Sequence, residues 1–174
     1  MLTVKYFAYG SNIDIGRLKS RVEGFGEPDI KAGVPYTLNN YSLVFNAESN
    51  FGSWAFANIM FRSGDKVEGI LYDMTSEQFE RLDKYEVLYE KKYFQLDSST
   101  IACVYIAKNI SFKSKKPTLE YLNIIIDGCL DTGLINTYNK LLEYKLKNYK
   151  IRKNKHNFNS VPQLHVTRIK PSYY

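Results

Sequence analysis

Histidine is almost absent from this 174-residue chain: its two copies, His156 and His165, both fall in the last twenty residues. Any chemistry in the body of the protein must therefore run on carboxylates, tyrosines, hydroxyls or backbone groups, which excludes most triad mechanisms. Cysteine is equally scarce. Cys103 and Cys129 lie inside the apolar segments IACVYIA and IIIDGCLDTG, where cysteine behaves as a small buried hydrophobe and no disulfide is expected. No C-x-x-C or H-E-x-x-H spacing occurs, so neither a structural zinc site nor a zincin is supported and no metal is expected. No apolar run approaches the roughly 20 residues of a membrane span. The first residues, MLTVKYFAYG, lack a positive n-region and a small-residue cleavage site, so the expected location is cytoplasmic.

Acidic residues are missing from one end only. Glu143 is the last of them, while residues 144–174 carry eight Lys or Arg. Subtracting that +8 from the overall +6 leaves residues 1–143 at −2. The length suits one core, so the chain reads as a single domain over 1–143 followed by a basic extension over 144–174. With 44% hydrophobic residues, 15 Tyr and 10 Phe, the composition is that of a globular protein.

Alternation with β-branched and aromatic content predicts strands at VKYFAY (4–9), YSLVFN (41–46), WAFANIMF (54–61), KVEGILYDM (66–74), KYFQLD (92–97) and TIACVYIA (100–107). Six short strands suggest a small mixed β-barrel or a strongly curled sheet. Four helices decorate it, giving an α+β class. The first begins at Ser11-x-x-Asp14 with Ile15, Leu18 and Val22 on one face, and the second, TSEQFERLDKYE, opens on a Thr75-x-x-Gln78 capping box. The third starts near Pro117 and stops at Gly133, and the fourth runs from about Asn136 to Asn148.

Two places could carry chemistry. In the second helix, Glu86 falls seven residues after Phe79 and four after Leu82, so its carboxylate shares the apolar face while Asp83 should face water. A carboxylate in apolar surroundings has a raised pKa and can act as base and then acid near neutral pH. The alternative is a helix that frays before Glu86 and leaves it solvated. The second place is Gly10-Ser11-Asn12, where a strand runs into a helix and can present unpaired N–H groups to a carboxylate or oxyanion. A plain turn with a cap accounts for that stretch equally well. It is not a Walker A loop, since no Gly-Lys-Ser/Thr follows, nor a dinucleotide fingerprint, since the glycines do not recur.

Together YFAYGSN (6–12), VEGILYDM (67–74), LDKYE (82–86) with Tyr93 seven residues beyond the Glu, and PTLEYLNIIIDGCLDTGLINTYNKLL (117–142) resemble the γ-glutamylcyclotransferases. The resemblance spans roughly residues 4–142. It implies a γ-glutamylcyclotransferase-like fold and release of 5-oxoproline from a small-molecule γ-glutamyl substrate, with no cofactor. It also implies that Glu86 is the acid/base, and that Tyr6, Phe7, Ala8, Tyr9, Gly10 and Ser11 line the pocket. Asn12 would fix the loop, and Tyr121 would touch substrate; without the resemblance Tyr121 reads first as a packed aromatic on a helix. Val87 and Lys91 stand where glycines are usual in that family, so the loop beside Glu86 is expected to differ and to admit a different leaving amine. Trp54 and Phe56 replace small residues and read either as reshaping the pocket mouth or, at least as readily, as core aromatics. The basic extension reads first as a solubilising segment, with 161–169 able to return as a strand. A second reading is a non-catalytic or repurposed member of the fold that binds an anionic partner or nucleic acid through that extension.

Overall fold

A computed structural model describes residues 3–24, 29–49, 52–112 and 115–149. Among these residues lie five strands, β1 (Val4–Ala8), β2 (Val34–Glu48), β3 (Ala55–Met74), β4 (Tyr89–Gln95) and β5 (Ile101–Ala107), and four helices, α1 (Ile15–Val22), α2 (Ser76–Asp83), α3 (Leu119–Asp131) and α4 (Ile135–Asn148). A short 3-10 turn, Ser11–Ile13, joins β1 to α1. The strand order is β2-β3-β1-β5-β4, with β1 antiparallel to β3 and parallel to β5.

The sheet is mixed and curled, as expected, but among the described residues it has five strands and not six. The segments expected at 54–61 and 66–74 are one continuous strand, β3. Its partner absorbs the irregularity: the β2–β3 register shifts between Asn39 and Tyr41. Asn40 there takes a φ of 62° and its Oδ1 accepts a bond from the N–H of Gly64, whose φ is 85°. A bulge of this kind bends a ladder without ending it. β2 also begins earlier than expected, at Val34, because Pro35 is tolerable on an edge strand whose outer side needs no ladder bond.

Curling brings the two edges toward each other. Tyr36 on β2 donates to the carbonyl of Leu96 at 2.9 Å, and the Tyr41 and Phe94 rings lie 5.2 Å apart. β1 sits at the centre, where Tyr6, Phe7 and Ala8 are all buried. Close approach of β3 depends on Gly69: a Cβ there would collide with the carbonyl oxygen of Ala8 and fall 2.7 Å from the Phe7 ring.

The helices pin the turn after β1. Asp14 caps α1 by accepting the N–H of Arg17, and Tyr72 donates to the carbonyl of Ile13 at 3.0 Å. From the far side α3 approaches so closely that a Cβ on Gly128 would lie 3.1 Å from the Asp14 nitrogen. The expected Thr75–Gln78 capping box is present at the start of α2, and the side chain of Thr118, one residue after Pro117, caps α3. Helix α4 crosses residue 143 and ends at Asn148. The strand expected at 161–169 and most of the basic extension lie outside the described residues.

Candidate active site

Helix α2 ends at Asp83, three residues before Glu86, yet the chain keeps turning. The N–H of Glu86 still bonds the carbonyl of Leu82 at 3.1 Å. Helical periodicity thus holds for one more turn after the regular helix has ended, so Glu86 follows Leu82 toward the interior. Its side chain is only 12% exposed. Asp83 does not simply face water: its carboxylate accepts the Tyr105 hydroxyl and pairs with Lys91, both at 2.7 Å.

Across the cavity stands the turn after β1. Asn12, buried among these groups, donates to Tyr6 Oη at 2.9 Å and to Glu86 Oε1 at 3.1 Å. Its own Oδ1 accepts from Arg21 Nη1 at 2.8 Å, and the same nitrogen reaches Glu86 Oε1 at 3.2 Å. Both side-chain bonds to Glu86 thus fall on Oε1; among the described residues Oε2 has no partner. The N–H of Ile13 bonds back to the Gly10 carbonyl, whereas the N–H groups of Gly10 and Asn12 carry no backbone bond among the described residues.

These groups line one cavity of about 280 Å³, with Glu86, Gly10, Ser11, Asn12, Tyr6, Tyr9 and Tyr121 in its wall. Of the residues expected there, Phe7 and Ala8 are the exceptions. Both are buried, but neither lines the cavity. Side chains alternate along β1, and Phe7 packs instead against Tyr36, 6.1 Å between ring centres. Tyr121 accepts the N–H of Ala57 at 3.3 Å, and its ring meets that of Phe56 edge-on at the cavity. Trp54 does not line the cavity, while Val87 does.

Electrostatics single out one titratable group. Burial raises the pKa of Glu86 above its usual range, while Arg21 and Asn12 pull it back down. Burial also holds the Tyr6 hydroxyl well above its ordinary value and pushes Tyr121 up to about 12. Both phenols therefore stay protonated near neutral pH, leaving Glu86 to exchange protons there.

Arg17 and Arg21 line the same cavity, and the sequence reading overlooked both. Their i, i+4 spacing immediately after the loop was the available signal, since such residues share a helix face. Among the described residues no cluster of His, Cys, Asp and Glu could hold a metal ion, and no helix is long and apolar enough to cross a membrane.

A curled mixed sheet with one buried carboxylate facing a strand-to-turn loop defines an α+β protein with a small-molecule-sized cavity. The profile of the γ-glutamyl cyclotransferase, AIG2-like family matches residues 6–123. The chain belongs to that family. Among solved structures, one named γ-glutamyl cyclotransferase is 22% identical, covers 90% of this chain and 93% of its own, and superposes with a TM-score of 0.69. An uncharacterized protein of Homo sapiens is also 22% identical, at 89% and 92% coverage and a TM-score of 0.65. YkqA of Bacillus subtilis is 17% identical, at 80% and 55% coverage and a TM-score of 0.61. No curated protein sequence matches the chain.

Proposed function

We propose that this protein is a γ-glutamylcyclotransferase that releases 5-oxoproline from a γ-glutamyl amino acid or γ-glutamyl amine, with Glu86 as its acid/base. The observation that carries this reading is the shared cavity: the Glu86 carboxylate and the 10–12 turn open onto the same space. Family membership supports the reaction class.

In this mechanism the substrate supplies its own nucleophile. Glu86 takes a proton from the α-ammonium, and the freed amine attacks the γ-carbonyl carbon. The carbonyl oxygen gains negative charge, which the N–H groups of the Gly10–Asn12 turn stabilise. Collapse breaks the bond to the leaving nitrogen, and protonated Glu86 returns a proton to it. The α-ammonium loses two protons on becoming a lactam N–H while the leaving nitrogen gains two on becoming an ammonium. Glu86 therefore ends as it began, and no cofactor enters. Holding the chain in its ring-closing conformation supplies much of the acceleration.

The test is mass-spectrometric detection of 5-oxoproline from a panel of γ-glutamyl amino acids and amines, with the Glu86→Gln protein beside it. We expect product from the wild type and a rate lower by roughly 10²–10⁴-fold in the variant. A Glu86→Gln protein that kept pace would remove Glu86 from the mechanism. A panel without any product would remove the activity.

A further inference from the structure

The cavity holds two guanidinium groups, and only one of them has a carboxylate partner. Arg21 is committed: it bonds Asn12 and Glu86, and its guanidinium stacks on the Tyr85 ring at 5.2 Å. Arg17 is not. Its Nε donates to Ser11 Oγ at 3.2 Å. Its two terminal nitrogens donate to no group, and no carboxylate lies within salt-bridge distance, among the described residues.

Arg17 is partly buried in the cavity wall. Burial and the neighbouring Arg21 both disfavour its charge, but a guanidinium stays protonated in a protein. With Glu86 ionised, the ionic side chains of the wall, Glu86, Arg17 and Arg21, sum to +1. A partly buried cation beside another cation gains from an anion placed against it. The free end of Arg17 offers two parallel N–H donors, the arrangement that grips a carboxylate bidentately.

We propose that Arg17 binds the α-carboxylate of the γ-glutamyl group and so makes that carboxylate a determinant of kcat/KM. This deepens the cyclotransferase reading above and rests on it. The substrate's α-amine and α-carboxylate share one carbon, so their receptors must be neighbours. Arg17 meets that condition, since it is tied through Ser11 to the loop whose Asn12 bonds Glu86. With the amine at Glu86 and the carboxylate at Arg17, the γ-carbonyl is left for the turn's N–H groups. Selectivity then falls on the glutamyl half of the substrate, while the leaving amine lies toward Val87, Tyr85 and Phe56.

The test compares γ-glutamyl ethylamide with 4-aminobutyryl ethylamide, which closes to pyrrolidin-2-one and lacks only the α-carboxylate. Wild type, Arg17→Lys and Arg17→Met are assayed on both. Loss of a charge-assisted carboxylate contact should lower kcat/KM of Arg17→Met on γ-glutamyl ethylamide by roughly 10- to 150-fold. Turnover of 4-aminobutyryl ethylamide should stay within about threefold of wild type, with Arg17→Lys intermediate on the first substrate. 5-Oxoproline binding, followed by calorimetry, should weaken in parallel while that of pyrrolidin-2-one does not. Equal losses on both substrates would assign Arg17 a structural role and overturn the proposal; so would no loss on either. A loss seen with γ-glutamyl-alanine but not with the ethylamide would place Arg17 on the leaving group's carboxylate, which also overturns it. Wild-type protein that neither turns over the γ-glutamyl substrates nor binds 5-oxoproline would instead refute the cyclotransferase reading, and this proposal with it.

Discussion

Asn12 and Glu86 are 74 residues apart in the chain and joined by a 3.1 Å hydrogen bond in the folded protein. The amide's other contacts, to Tyr6 Oη and from Arg21, determine which way it faces, so its NH₂ group points at Glu86 Oε1. That leaves Oε2 without a partner among the described residues. One buried side chain thereby orients both the loop and the carboxylate.

Asn12→Ala is expected to raise the pKa of Glu86 further. The bond from Asn12 favours the ionised carboxylate, and its removal lets desolvation dominate. A base that must be ionised then becomes active only at higher pH, so the acid limb of the kcat/KM profile should move upward. Profiles of the two proteins between pH 4 and 9 check this, and an unmoved limb would count against Glu86 as the titrating group.

Stability should depend on pH through the same residue. The folded-state pKa of Glu86 lies above the ordinary 4.5, so folding favours the protonated form. Its contribution is fully present below the unfolded pKa and is lost as pH rises through the folded one. The slope is at most about 1.4 kcal/mol per pH unit. Glu86→Gln removes that slope, so urea midpoints measured from pH 4 to 8 should diverge in favour of the variant as pH increases.

Tyr121→Phe should cost both stability and rate. Ala57 is 2% exposed, and its N–H would lose the hydroxyl that accepts it. An unpaired buried donor costs about 1–3 kcal/mol. Chemical denaturation measures that loss, and steady-state kinetics on a γ-glutamyl substrate should show a lower kcat/KM as the wall beside Ser11 loosens.

Gly69→Ala tests the packing beneath the loop. With a Cβ driven into the Ala8 carbonyl oxygen, β1 and β3 must separate. Overpacking of this kind costs about 1–3 kcal/mol, to be read as a lower Tm. Because Ala8 leads directly into the 9–12 turn, activity should fall more than stability alone explains.

Much of the local structure was legible in the residues themselves. The Thr75–Gln78 box, the stop at Gly133 and the strand alternation of β1 and β5 express interactions within a few positions of one another. Glu86 was legible too, although its helix ends early, because the bond to Leu82 carries the helical phase past Asp83. Other features were not, and each has a distant cause. The union of 54–61 with 66–74 depends on a bulge in the neighbouring strand at Asn40. Asp83 is engaged by Tyr105 and Lys91, which belong to β5 and β4. Arg21 acquires its carboxylate partner, Glu86, only from 65 positions away.

The sequence by itself determined the α+β character and the two segments that could carry chemistry, because periodicity, capping and turn residues act over one or two turns of chain, while the resemblance of its motifs pointed to the family. Only the tertiary structure decided that Glu86, Asn12, Arg21 and Arg17 meet at one cavity, and that Phe7 and Ala8 do not line it. Those outcomes depend on how a curled sheet brings remote segments together and excludes water between them, and it is that exclusion which gives the buried carboxylate its raised pKa.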